Sequence, residues 1–221
     1  MTTKTIKPLN TRQSFFFIQV AKRHFPPSIV EDIAFAYDLS KYGHAKQTRD
    51  NGQRYFEHPR AVTLILMTEL SIYDSELVIA ELLHDMPEDS FLLNHSRINK
   101  IFGNSIGQII WLMTKLKTHK GKNVKKYFKR LEDSGNWRAM LCKCLDRLHN
   151  MRTLGDRQRD KQLSQVKETR DMVFPLIDTL EKIIPRVYQK QLSYVKKCLV
   201  DLCNHYEVSG DSPSLTKKMI T

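Results

Sequence analysis

No apolar run in this sequence approaches the roughly 20 residues of a membrane span, which argues against a transmembrane helix. Cysteine is scarce. Cys142, Cys144, Cys198 and Cys203 are the only four; two lie one residue apart inside a helical pattern and none has a CxxC partner. That usage fits a reducing compartment, with the thiols as buried packing groups. The N-terminal run is not expected to act as a secretory leader. Lys4, Lys7 and Arg12 precede Phe15-Phe16-Phe17-Ile18, but the run is short, Gln19 interrupts it, and Lys22-Arg23-His24 stands where small residues should allow cleavage. The expected location is cytoplasmic, with no membrane as partner. No stretch reads as a strand, and there is no repeat or low-complexity segment. Acidic residues are outnumbered, 24 Asp and Glu against 36 Lys and Arg, and the net charge of +12 draws anions such as nucleotides or nucleic acid without choosing between them.

What is present fits one globular domain. The 221 residues, 41% hydrophobic and 27% charged, are enough to bury a core without disulfides or a structural metal, so any metal is functional. The domain is expected over 1–206, followed by a flexible tail over 207–221, where Val208-Ser209-Gly210-Asp211-Ser212-Pro213 has no periodicity.

Apolar spacing predicts an all-α fold. Ser28 and Glu31 read as a capping box for a helix bearing Ile29, Ile33, Ala36, Tyr37 and Leu39 and ending near Gly43. A polar loop with Asn51-Gly52 leads to His58-Pro59, where proline at a first helical position starts a helix through Leu70. Asp74 or Ser75 caps the next helix, which carries Leu77, Val78, Leu82 and Leu83 up to His84; Pro87 then disfavours a regular continuation. Helices over 96–102 and 105–116 flank Gly103-Asn104. From Lys117 to Arg130 the chain is strongly basic and reads as a mobile loop entering a short helix. Trp137, Met140, Leu141, Cys144, Leu145 and Leu148 mark an amphipathic helix. Asp146 points away from its stripe, and Asn150 follows four residues on along the same face. Helices over 162–181, kinked at Pro175, and 186–205, opened by Pro185, complete the pattern.

The chemistry concentrates in His58, the quartet His84, Asp85, Glu88 and Asp89, and Asp146. Facing side chains in a helical bundle commonly build metal sites. Two imidazoles and two carboxylates suit a divalent ion that keeps positions open for water and a phosphate oxygen. On that reading His58, His84, Asp85 and Asp146 hold the metal. Glu88 and Asp89, two acids beyond the ligand count, position or deprotonate the water and later help protonate the leaving group. The simpler alternative for Glu88 and Asp89 is a solvated acidic helix end.

The series His44-x-x-Gln47-x-Arg49-x-x-Gly52-x-x-Tyr55-x-x-His58-Pro59, Leu82-Leu83-His84-Asp85-x-x-Glu88-Asp89, Phe102-Gly103, Thr114-Lys115-Leu116 and Asp146-Arg147-Leu148-His149-Asn150-Met151-Arg152-Thr153-Leu154 resembles the hydrolase domain of RelA/SpoT-type alarmone enzymes. Glu168-Thr169 and Phe174-Pro175-Leu176 extend the likeness, so it covers about residues 30–180. The resemblance implies an HD-domain helical bundle that uses manganese to remove the 3′-pyrophosphate of ppGpp and pppGpp, giving GDP or GTP and pyrophosphate. By position, His58, His84, Asp85 and Asp146 match the metal ligands and Glu88 and Asp89 the catalytic acids. Arg49 matches a residue that packs on guanine, as a guanidinium plane can, and Asn150 and Thr153 match positions lining the ribose and phosphates. Outside that motif Arg49 would read as a solvated loop cation.

At this length the chain is expected to lack the synthetase and regulatory domains of the long enzymes, and the resemblance then implies a small alarmone hydrolase, as antidote to an alarmone synthetase. The basic segment over 117–130 either lends a cation to the phosphates or is a solvated loop. Asp50 stands where the family has a basic residue, Lys46 where a glycine is common, Pro87 where an aliphatic is common, and Phe174 where a tyrosine is common. Asp50 bears on purine preference, and Phe174 loses a hydroxyl donor. Two alternatives stand beside the alarmone reading. One is a phosphohydrolase of another nucleotide, such as ppApp or NADPH; the other, less favoured, is a basic nucleic-acid-binding protein, for which two spare acids would have no use.

Overall fold

The structure is a computed structural model that describes residues 11–50, 52–89, 93–115, 124–155 and 157–208. Twelve α-helices account for most of these residues, and the one extended pairing among them is an isolated bridge between Thr48 and Arg54. The chain is therefore all-α, as its periodicity predicts. No described helix is long and apolar enough to cross a membrane.

Contacts divide the chain into two compact units, Met1–Gly107 and Gln108–Thr221. In the first, α1 (Thr11–His24) packs on α2 (Pro27–Gly43), and α2 and α3 (Glu57–Leu64) both pack on α4 (Ser75–Leu83). Short α5 (Met86–Asp89) and α6 (His95–Phe102) follow, and α7 (Asn104–Met113) runs across the boundary. Ile33, Val62, Leu66, Leu77, Leu82 and Leu83 are completely buried here. Each such side chain contributes about 1.5–3 kcal/mol relative to exposure.

Local chemistry explains the helix limits. The α2 start differs from the capping-box expectation: Pro26 is the N-cap, with no side-chain hydrogen bond, and Pro27 opens the helix. Two successive prolines fix φ there and lack the N–H groups a cap would satisfy, so Ser28 falls inside the first turn. Asp74 does cap α4, accepting from the Leu77 N–H at 3.0 Å. Helix α3 begins one residue before His58, at Glu57, which leaves Pro59 in a first turn where its missing donor costs nothing. The helical path continues to Glu69 as a π turn, closed by the Leu70 N–H on the Ile65 carbonyl.

In the second unit α9 (Trp137–Arg152) packs against α8 (Val124–Asp133), α11 (Phe174–Ile183) and α12 (Gln189–Val208), and α10 (Arg159–Glu168) packs on α12. Because neighbours surround α9, it is not simply amphipathic: every residue from Ala139 to Leu148 is buried, including Lys143, Asp146 and Arg147. Those charges must therefore be paired. Arg147 is, donating to Gln165 and Glu168. Where one helix over 162–181 with a kink at Pro175 is expected, a π turn over Thr169–Val173 separates α10 from α11, and Pro175 stands in the first turn of α11, where its missing donor costs nothing. Of the basic segment, Lys125, Lys126, Lys129 and Arg130 belong to α8. Lys117, His119, Lys120 and Lys122, and the tail beyond Val208, lie outside the described residues.

Candidate metal centre

Three of the expected donors meet in the first unit. His58 sits in the first turn of α3, His84 caps the C-terminus of α4, and Asp85 occupies the turn before α5. Both rings are buried and their centroids lie 5.5 Å apart. His84 Nε2 is 3.1 Å from Asp85 Oδ1, and His58 Nε2 is 3.8 Å from Asp85 Oδ2. Stopping α4 at Leu83 is what turns Asp85 toward the two rings. The quartet thus straddles a helix end, as Pro87 leads one to expect.

The protonation pattern of His84 follows from its partners. Nδ1 lies 2.8 Å from the Glu81 carbonyl oxygen, which can only accept, so Nδ1 carries a hydrogen and Nε2 is the nitrogen left to face a metal. A metal-ligating histidine requires that arrangement. The Glu81 carboxyl group, completely buried, stands 3.8 Å from the same Nδ1, beyond hydrogen-bond distance. Tyr55 donates its hydroxyl to Asp85 Oδ2 at 3.0 Å and so fixes the carboxylate's orientation. Its ring is stacked on His44, 4.7 Å between centroids, and His44 Nδ1 is 2.7 Å from Gln47 Oε1. Two nitrogens and a carboxylate converging over 3–4 Å fit a divalent ion of intermediate hardness.

Asp146 is the buried carboxylate of α9. Asn150 donates to its Oδ1 at 2.6 Å and Lys143 to its Oδ2 at 2.7 Å. The Asp146–Asn150 pairing is the one that helical spacing predicts. Burial pulls the Lys143 ammonium toward neutrality, but the Asp146 carboxylate, with a smaller contribution from Tyr127, outweighs it and holds the lysine above its ordinary pKa. Among the described residues the candidate metal donors are thus His58 and His84 of the first unit and Asp146 of the second.

The remaining expected residues are less enclosed. Glu88 is exposed in α5, its N–H bonded to the Asp85 carbonyl at 3.2 Å; Asp89 closes the same turn, and its side chain lies outside the described residues. Arg49 is half-buried on a tight turn in which its N–H bonds the Gln53 carbonyl at 2.8 Å and Gly52, at φ 80°, closes back on it. Thr153 ends α9, donating its hydroxyl to the His149 carbonyl at 3.0 Å. Glu81 and Lys143 had no role in the sequence reading, and Tyr55 stood there only as a motif position. The signal was there for each, since all three stand three residues before a donor: Tyr55 before His58, Glu81 before His84, Lys143 before Asp146.

Comparison with known proteins agrees with this geometry. The HD-domain family model matches residues 36–178. The chain is 36% identical over 165 residues to the GTP pyrophosphokinase rsh of Brucella ovis, 70% of this chain and 21% of that protein. It is 31% identical over 170 residues to the bifunctional (p)ppGpp synthase/hydrolase SpoT of Escherichia coli K12, 73% of this chain and 24% of that protein. The chain thus spans less than a quarter of the length of these curated relatives. A solved structure of a metazoan ortholog of SpoT, which hydrolyses ppGpp and plays a role in starvation responses, matches with a TM-score of 0.60 and 22% identity over 78% of this chain and 96% of that one. That likeness establishes a shared fold.

Proposed function

The chain belongs to the HD-domain family, and from that premise we propose that it is a manganese-dependent hydrolase that releases pyrophosphate from the 3′-position of ppGpp and pppGpp. The observation that carries the reading is the meeting of His58, His84 and Asp85 at the broken end of α4. His58, His84, Asp85 and Asp146 would hold the ion, which supplies charge for a phosphoryl oxygen and acidifies a water. The match to relatives named for synthesis and hydrolysis of (p)ppGpp supports the substrate class.

The roles of the side chains follow from their chemistry. Glu88 and Asp89 accept the proton of the attacking water and return one to the departing ribose oxygen. The water oxygen bonds the phosphorus attached to O3′, the P–O3′ bond breaks, and GDP or GTP leaves with pyrophosphate. Arg49 stacks on the guanine by its guanidinium plane. Asn150, while holding Asp146, and Thr153 line the ribose and phosphate side. The family match runs through both compact units, which supports one hydrolase domain over 1–206. The proposed setting is the cytoplasm, opposite an alarmone synthetase whose toxicity the enzyme relieves.

A second reading has one observation in its favour. Asp50 is an exposed carboxylate next to Arg49 on the turn that would meet the base, and it favours a different purine or a different nucleotide. Purified protein incubated with manganese and ppGpp, pppGpp, ppApp or NADPH separates the two. Pyrophosphate with GDP or GTP is the expected product. Turnover of ppApp or NADPH in preference selects the second reading, and release of inorganic phosphate alone overturns the mechanism.

A further inference from the structure

We propose that a groove between α7 and α8 binds a polyphosphate anion, in a site that shares no residue with the metal centre. The groove is a shallow, solvent-open depression of about 690 Å³, within the roughly 300–1,000 Å³ of small-molecule sites. Trp111 and Leu112 of α7 form one wall, and Lys125, Lys126, Lys129 and Arg130 of α8 the other.

Arg130 makes the wall rigid. Its guanidinium lies 4.5 Å from the Trp111 ring centroid and 5.6 Å from that of Tyr127, and it donates to the carbonyls of Leu112 at 3.2 Å and Thr114 at 2.6 Å. A cation there caps the C-terminal end of α7 and holds the indole in place by cation–π attraction. Trp111 nevertheless stays 41% exposed.

The lysines supply the charge. Lys125, Lys126 and Lys129 are exposed, and Lys125 and Lys126 have no carboxylate partner among the described residues. Lys129 pairs with Asp133, which also lines the groove. An exposed pair of this kind is weak, so an arriving anion can take the lysine over. From Lys125 to Lys129 the helix rises about 6 Å at 1.5 Å per residue, the scale of a short chain of linked phosphates. Compact ammonium groups on flexible stems suit such a chain as point charges. The shared chemistry is the polyphosphate; its source is inorganic or a nucleoside polyphosphate, whose base would meet the exposed indole.

Calorimetry with inorganic tripolyphosphate, GTP and guanosine, on the full chain in a chelator, tests this without any turnover, so its outcome is independent of the hydrolase reading. One saturable site is expected, weakened about 10-fold or more by the double change Lys125→Glu, Lys126→Glu, strengthened by Asp133→Asn, weakened by salt, and unchanged by His58→Ala. Equal affinity for tripolyphosphate and GTP assigns the site to the phosphate chain alone; tighter GTP with detectable guanosine binding assigns it to a nucleotide. The proposal is overturned if the lysine double variant, folded by circular dichroism, binds as the native chain does, if His58→Ala abolishes binding, or if tripolyphosphate shows no saturable binding. Single-stranded RNA binding that exceeds both probes and spreads beyond these lysines also overturns it.

Discussion

Asp146 and Asp85 are both carboxylates of the candidate centre, yet their surroundings differ. Asp146 is tied to Lys143 and Asn150 from its own helix, whereas Asp85 is held by the Tyr55 hydroxyl and faces two imidazoles. Removing Asp146 strips a donor and strands the buried Lys143 ammonium without its counter-charge. Asp146→Ala is therefore expected to lose metal, measured by elemental analysis after dialysis, and to lower stability. Asp89→Asn removes a proton acceptor and no donor. It should keep metal near the native stoichiometry while turnover falls about 100-fold or more, the scale of a lost general base. Metal loss in Asp89→Asn would reassign that residue to the ligand set.

At the scale of elements, function depends on where helices stop. Helix α4 ends at Leu83, although His84 after it keeps helical dihedrals, and α6 ends at Phe102 before Gly103, whose backbone cannot extend it. Gly103 has φ 88° and ψ 163°, a region open essentially to glycine, and lets α7 start at the next residue. Gly103→Ala should cost roughly 1–3 kcal/mol, read as a lower denaturation midpoint in urea, with the space around the added methyl open. A midpoint within error of the native value would mean that the turn relaxes. The two π turns, Ile65–Glu69 and Thr169–Val173, are likewise element-level features that propensity does not reveal.

For the whole molecule, a metal that binds only the folded state must stabilise it. At a free concentration 100 times its Kd the gain is about 2.7 kcal/mol. In a chain of 221 residues that corresponds to a melting temperature about 5–10 °C higher, at roughly 2–4 °C per kcal/mol. Manganese added to chelator-treated protein should produce that rise, and His84→Ala should abolish it. An equal rise in the variant would place the stabilising ion elsewhere.

Several features were legible in residues alone. The 3.6-residue spacing of apolar side chains gave the all-α class, Asp74 or Ser75 offered a cap of which Asp74 is the one used, and the chain order His58, His84-Asp85, Asp146 nominated candidate donors before any distance was known. These are local or compositional properties, and short-range chemistry fixes them. The start of α2 was misread because a serine cap and a proline start compete at neighbouring positions, and the amphipathic reading of α9 missed that helices surround it. Only the tertiary structure decided that His58 and His84, 26 residues apart, turn their Nε2 atoms onto one carboxylate within 3.8 Å, with Tyr55 and Glu81 behind them. That convergence depends on the packing of α3 against α4, and no periodicity within either helix encodes the distance between them.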